Sequence, residues 1–315
     1  MKYRHVGKSG LVVSEIALGS WLTFGNQVDT VSGKELVKKA FELGINYFDT
    51  ADVYEAGKAE EILGTVLPHF NRSHIVVATK AFWPMSDYPT DKGLSRKHII
   101  DSIEGSLERL KLSYVDIFYC HRYDPETPII ETLHAVEDII RMGKALYWGT
   151  SEWEADQISE AYAICRERGW HPPIINQPSY SLLNRKIEKR ILPTTMRLGM
   201  GTANFSPLSQ GILTGKYSGG KIPEGSRGSN EKLNLWIKEK LEDRELLDRV
   251  DMLNPIADKY GITMAQLALA WILKNPGISS VITGASRVHQ LEENAAASEV
   301  ELREEDYDYI SELFA

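Results

Sequence analysis

Two patterns of apolar spacing alternate along the chain. Short, nearly continuous apolar runs at 16–18, 46–49, 75–80, 114–121, 145–151, 174–177, 200–205 and 280–283 predict buried strands. The stretches between them place apolar residues three and four positions apart, the period of a helix with one buried face. On this pattern helices are predicted over 31–43, 59–67, 96–110, 129–142, 154–168, 186–198, 253–260, 264–274, 288–297 and 304–313. Ser95 supplies an N-cap, Pro128 suits the first turn of the helix that follows it, and Gly169 closes the helix before it. At the start, 2–6 and 11–15 flank Gly7-Lys-Ser-Gly10 and predict a β-hairpin.

Eight strand runs separated by helices require a parallel sheet. Their number predicts a closed (β/α)₈ TIM barrel, α/β in class, with an N-terminal hairpin and an extra C-terminal helix. The expectation is one domain over 1–315. A doubly wound open sheet is the alternative, weakened because no Gly-x-Gly-x-x-Gly turn follows the first strand. Gly199-Met-Gly201 lies in a predicted strand with no helix opening behind it and reads as close packing. Two irregular segments, 82–94 and 211–231, are rich in Gly and Pro and long enough to be functional loops.

Composition narrows the function. A net charge of −8 leaves no basic excess for a nucleic-acid backbone, so no nucleic-acid partner is expected. Two cysteines, Cys120 and Cys165, are too few for a disulfide framework, and with no Cys-x-x-Cys or helical His pair no metal site is expected. The first eight residues lack the apolar core of a secretory signal, and no apolar run approaches the ~20 residues of a spanning helix. A cytoplasmic protein with no membrane insertion is the expectation. Gly149-Thr-Ser-Glu-Trp153 departs from the hydrolase elbow at its last position.

In a parallel barrel, chemistry sits at the carboxyl ends of the strands. Asp49, Lys80 and His121 end three successive strand runs, and Tyr54 follows on the loop after the first of them. Taken singly, an Asp–Lys pair is an ordinary ion pair and a strand His an ordinary core residue. Together they can build a proton donor. A free phenol, with a pKa near ~10, donates reluctantly at neutral pH. An adjacent ammonium, Lys80, is expected to lower that value, with Asp49 orienting the ammonium and His121 hydrogen-bonding a carbonyl oxygen.

These four residues, with Phe48-Asp-Thr-Ala51, Ala59-Glu60, Leu63-Gly64 and Ala78-Thr-Lys80 around them, resemble the aldo-keto reductases. Gly93-Leu-Ser-Arg-Lys-His98, Ser106-Leu-Glu-Arg-Leu110 and Tyr147-Trp-Gly-Thr-Ser151 carry a closer likeness, to the branch that includes the β subunits of voltage-gated potassium channels. It spans nearly the whole chain. In mammalian members of that branch Asn stands at the position of His121. Having His, this chain looks like a competent reductase.

The resemblance implies catalytic roles for Asp49, Tyr54, Lys80 and His121, and an NADPH track. Gly19, Ser20, Trp21, Thr23 and Gln27 would line the first loop, and Asp49, Ser151 and Gln177 would approach the nicotinamide. Phe205 would lie against its ring. Ser206, Pro207, Leu208, Ser209 and Gly211 would wrap the pyrophosphate, with Lys216 and Arg227 adding positive charge. Gly284, Ser286, Gln290, Glu293 and Asn294 would receive the terminal phosphate at a helix N-terminus, which favours NADPH, with NADH binding more weakly. Gln290 stands where many family members have Arg. Substrate would meet Trp21, Tyr54, Trp83 and His121. The implied activity is reduction of aldehydes, ketones or 2-oxoaldehydes to alcohols, with a small-molecule carbonyl as partner. The rival implication is a redox-sensing subunit of a larger complex such as a potassium channel, and the channel likeness points to a homotetramer. A barrel hydrolase or isomerase would bind no NADPH.

Overall fold

Each buried apolar run pairs with its neighbour in sequence until the last returns to the first. In the computed structural model, which describes residues 1–230, 234 and 237–315, a hairpin of β1 (Tyr3–His5) and β2 (Val12–Ser14) precedes the alternating units. These run β3 (Ile16–Gly19), α1 (Thr30–Glu42), β4 (Tyr47–Asp49), α2 (Lys58–Leu63), β5 (Val76–Ala81), α3 (Arg96–Leu110), β6 (Val115–Cys120) and α4 (Ile129–Arg141). There follow β7 (Ala145–Ser151), α5 (Ala155–Arg168), β8 (Ile175–Gln177), α6 (Ile191–Leu198), β9 (Gly201–Asn204), α7 (Lys238–Glu242), α8 (Arg244–Asp251), α9 (Asn254–Tyr260) and α10 (Met264–Leu273). The chain ends with β10 (Ser280–Thr283), α11 (Val288–Ala296) and α12 (Glu304–Leu313).

Strands β3 to β10 are parallel and closed, because β10 pairs with β3 through Val281↔Ile16, Ile282↔Ala17 and Thr283↔Leu18. Closure makes this the (β/α)₈ barrel and removes the open-sheet alternative. Apolar side chains fill both faces of the strands. Val13, Ala17, Tyr47, Ile117, Tyr119 and Ile175 share the interior cluster, while Ile16, Phe48, Val77, Phe118 and Trp148 pack outward against the helices. Inside, the hydroxyls of Tyr47 and Tyr119 meet at 2.8 Å, so neither is left unsatisfied. The hairpin closes the amino-terminal end. Val6 and Val13 join the interior cluster, and Lys8 N donates to Gly199 O at 2.8 Å.

The expected caps form: Ser95 accepts from His98 N at 3.2 Å, and Gly169 adopts a left-handed conformation. Differences trace to proline. The predicted helix over 59–67 stops at Gly64, and a separate 3₁₀ turn, Leu67–His69, carries Pro68 at its second position. The stretch 186–198 splits into a 3₁₀ turn, Lys186–Glu188, and α6, because Pro193 has no N–H for the Lys189 carbonyl and its ring would clash there. Pro128 occupies the N-cap of α4 rather than its first turn. The segment 211–231 contains 3₁₀ turns such as Ser218–Gly220 and Arg227–Ser229, with its last residue, Glu231, outside the described residues. Helices α7 and α8 were not predicted.

Behind β4 and β5 lies a fully buried polar group. Glu60 accepts from Thr79 Oγ1 at 2.5 Å and pairs with Arg109 Nε at 2.7 Å. Beside it Asp52 Oδ1 accepts from Val53 N at 2.6 Å, while Oδ2 has no hydrogen-bond partner. Burial, and then the charge of Glu60, push the Asp52 carboxyl up to about 7. A carboxyl raised from 3.8 holds its proton in the folded state where the unfolded chain has lost it, so stability falls as pH rises from about 4 to about 7. Asp52→Asn should remove a dependence on the order of 4 kcal/mol, raising thermal stability over the native chain at about pH 8 but little at about pH 4. An equal effect at both pH values would contradict this. Separately, a Cβ on Gly64 would lie 2.1 Å from Arg109 O, a backbone atom of the next helix. Gly64→Ala should lower stability by ~1–3 kcal/mol, read from the urea midpoint of helical circular dichroism.

Candidate active site

Because the strands are parallel, their carboxyl ends open onto one mouth, and a cleft of ≈ 660 Å³ lies there. At its floor the Lys80 ammonium, fully buried, donates to Asp49 Oδ2 and Thr50 O, both at 2.7 Å, and to Tyr54 Oη at 3.1 Å. Asp49 is fixed from its other side, where Gln177 Nε2 donates to Oδ1 at 2.8 Å. Gln177 is itself tied down: its carbonyl accepts from Ser151 Oγ at 2.9 Å. Register sets this up. Asp49 pairs with Ala78 and Ser151 with Gln177, bringing their side chains to one level of the barrel.

Tyr54 is held on a turn in which Glu55, Ala56 and Gly57 all have positive φ. Its backbone N–H donates to Ala51 O at 3.2 Å, and its ring stands edge-on to His121 at 5.8 Å. The expected lowering of the phenol's pKa is corrected in its net direction. Burial raises it more than the Lys80 charge lowers it, and Asp49 adds to the rise, so the phenol stays protonated. Burial is also the largest influence on Lys80 and acts downward, but Asp49 and Tyr54 outweigh it and the net shift is upward. Burial, then Lys80 and Arg122, hold His121 well below the usual imidazole range, so its ring is neutral at neutral pH. Its Nδ1 is buried without a partner.

Most of the other residues singled out from the sequence converge on the same cleft. Gly19 at the end of β3 and Trp21, Thr23 and Gln27 on the loop after it line the cleft; Asp49, Tyr54, Ser151 and Gln177 form its floor. Trp83 and His121 wall one side, and Phe205, Ser206, Pro207, Leu208, Gly211, Lys216 and Arg227 the other. Gly284, Ser286, Gln290, Glu293 and Asn294 complete the rim at α11. Trp21 meets Phe205 edge-on at 6.0 Å.

Two of the loop serines turn away from the cleft. Ser20 is buried in the wall, donating to Thr50 Oγ1 at 2.9 Å. Ser209 also faces inward, accepting from Lys240 Nζ at 2.6 Å, because Ser206, Ser209 and Gln210 turn the chain through positive φ. Lys80 lies beneath the floor and meets the cleft through Tyr54 and Asp49.

The donor set suits a dinucleotide. Among the described residues Lys216 and Arg227 have no carboxylate within ion-pair distance, and burial lowers the pKa of both. Ser226 Oγ is buried and unpartnered on the same wall, and a Cβ on Gly211 would meet Lys216 Cε at 2.8 Å. Unpaired cations and a free hydroxyl around a close backbone approach fit a polyanion. At α11, Ser286 N and Oγ both donate to Gln290 Oε1, at 2.9 and 3.2 Å. Among the described residues no three His, Cys, Asp or Glu side chains form a metal-binding group, and no helix is long and apolar enough to cross a membrane.

Sequence reasoning missed Glu55, Arg122, Ser226, His289 and, from α10, Ala265. Arg122 follows a strand-end residue that was recognised, so strand-end position could have found it. Ala265 reaches the cleft through helix packing alone and carries no local signal.

The comparisons with known proteins agree with this geometry. Residues 15–315 match the model of the aldo/keto reductase family. The chain is 46% identical over 303 residues to a protein of Oryza sativa subsp. japonica named a probable voltage-gated potassium channel subunit beta, covering 95% of this chain and 92% of that one. A protein of Arabidopsis thaliana bearing the same name matches with the same identity and coverage. A closed parallel barrel with Asp49, Tyr54, Lys80 and His121 at its mouth, and a family match over almost the whole sequence, place this chain in the aldo/keto reductase family.

Proposed function

We propose that this chain reduces aldehydes, and more broadly small carbonyl compounds, to alcohols with NADPH. The observation that carries the reading is the Tyr54 hydroxyl at the cleft floor, 3.1 Å from a lysine ammonium that Asp49 holds at 2.7 Å. When bound, NADPH supplies the hydride for the carbonyl carbon. The chain's own part is the proton. As the C–O π pair moves onto oxygen, Tyr54 Oη donates its proton there, and the phenolate charge left behind is met by Lys80 Nζ. Because burial keeps the phenol protonated at rest, the donor is loaded before substrate arrives. Asp49 and Thr50 O hold Lys80 in place, and a neutral His121 can donate an N–H to the same oxygen without competing as a charge. Trp21, Trp83 and Phe205 exclude water around the reacting carbon.

For the cofactor, Lys216, Arg227 and Ser226 would hold the phosphates, and Ser151, Gln177 and Asn294 the polar edges of the dinucleotide. The first turn of α11 offers amides with no side-chain cap, beside Ser286 and Arg287, which favours the additional phosphate of NADPH. A second reading, a redox-sensing subunit on a partner protein, is supported by the names of the relatives. Many turnovers per molecule on simple aldehydes separate the two readings, since a sensor needs only one.

Tyr54→Phe should lower kcat by about a hundredfold or more while leaving the affinity for NADPH within about twofold of the native value. Retained reduction would overturn the donor assignment. Titration of tryptophan fluorescence should show NADPH binding about tenfold tighter than NADH. Equal affinities would remove the argument from α11.

A further inference from the structure

The cleft holds a cation that the reductase chemistry above does not use. Arg122 follows His121 at the end of β6 and lines the cleft. Among the described residues, Nη1 alone of its guanidinium nitrogens donates to the protein, to His121 O at 2.5 Å. The group stands 5.5 Å over the Trp83 ring. Among the described residues it has no ion pair. Glu152 acts on the guanidinium by charge without forming an ion pair, its Oε1 accepting from Ser179 N at 2.5 Å, and Glu55 Oε1 accepts from Asn26 Nδ2 at 3.0 Å.

A half-buried, unpaired guanidinium is unfavourable unless something anionic completes it. Topology decides which ligand that is. In the closed order β10-β3-β4-β5-β6-β7-β8-β9, β6 lies four strands from β10 in either direction. The cations suited to phosphates of the dinucleotide, Lys216 and Arg227, follow β9, and the α11 rim follows β10. Arg122 therefore faces the part of the cleft across from them, beside Tyr54, His121 and Trp83.

Resting on the reductase reading, we infer that Arg122 is a specificity-determining residue that selects short aldehydes carrying an anionic group, a carboxylate or a phosphate, a few atoms from the carbonyl. Its planar, forked donors suit either group, and the Trp83 face and the His121 carbonyl fix its orientation. The carbonyl would be placed under Tyr54 by a contact made at the substrate's other end.

The test compares pairs that differ in charge: 4-oxobutanoate against butanal, and glycolaldehyde phosphate against glycolaldehyde, each with NADPH. The native chain should favour at least one anionic member by about tenfold or more in kcat/KM, and the pair with the larger ratio identifies carboxylate or phosphate. Arg122→Met should collapse that ratio to within about twofold, and Arg122→Lys should keep part of it. Ratios near one in the native chain, or a ratio that survives Arg122→Met, would overturn the proposal. A second readout needs no turnover. Followed by tryptophan fluorescence, 4-hydroxybutanoate or phosphoglycol, whichever matches the preferred pair, should bind the native chain about tenfold more tightly than Arg122→Met. If no aldehyde is reduced, this binding is measured for both anions. A difference for either then upholds the anion subsite while the reductase reading falls; equal binding removes the subsite as well.

Discussion

One buried ammonium holds the site together. Removing a lysine from water is strongly unfavourable, and the Lys80 side chain is wholly enclosed. What offsets that penalty is complete coordination: a carboxylate at 2.7 Å, a backbone carbonyl at 2.7 Å and a phenol at 3.1 Å. Each partner is fixed in turn. Asp49 is held by Gln177 from across the barrel, and Thr50 N donates to Ala78 O on the neighbouring strand. Because the ammonium needs all three acceptors, the phenol is locked at the cleft floor by the same contacts that make the buried charge tolerable. Position and reactivity of Tyr54 are therefore one property.

Such a cluster requires a closed barrel. Asp49, Lys80 and Gln177 sit on β4, β5 and β8, and Gln177 reaches Asp49 only because the sheet curves round until those strands face each other. In an open sheet β8 would lie far along the edge from β4. Closure also sorts the cleft into sectors. Phosphate-suited groups follow β9 and β10, while Trp21, Tyr54, Trp83 and His121 follow β3 to β6. Trp21 and Phe205, in edge contact, stand where the two sets meet.

The strand and helix alternation was legible because most barrel strands are buried on both faces and most of the helices between them on one, so hydropathy records the fold directly; α7, with no buried residue, left no such record. Helix ends were legible where a side chain makes the cap, as at Ser95, and illegible where a proline breaks an apolar period, as at Pro68 and Pro193. The four residues at the cleft floor could be found because strand ends mark the mouth of any parallel barrel. Side-chain direction could not. Ser20 and Ser209 have the right composition and the right loops, yet positive φ at Ser206, Ser209 and Gln210, and a hydroxyl partner for Ser20, turn them into the wall. The net pKa of Tyr54 was misjudged for a related reason, since the sequence displays the neighbouring charge but not the depth of burial that outweighs it.

Two carboxylates three residues apart show how far environment decides. Asp49 and Asp52 are both buried on the same turn-bearing segment. Asp49 has an ammonium and an amide as partners. Asp52 has one backbone amide, a free oxygen and the neighbouring charge of Glu60, and it titrates near neutrality. The backbone around Asp52 is part of the site nonetheless: its N–H donates to Lys80 O at 3.2 Å, and the turn after it carries Tyr54. The segment from Thr50 to Gly57 is thus clamped on one side by a satisfied ion pair and on the other by an incompletely satisfied acid.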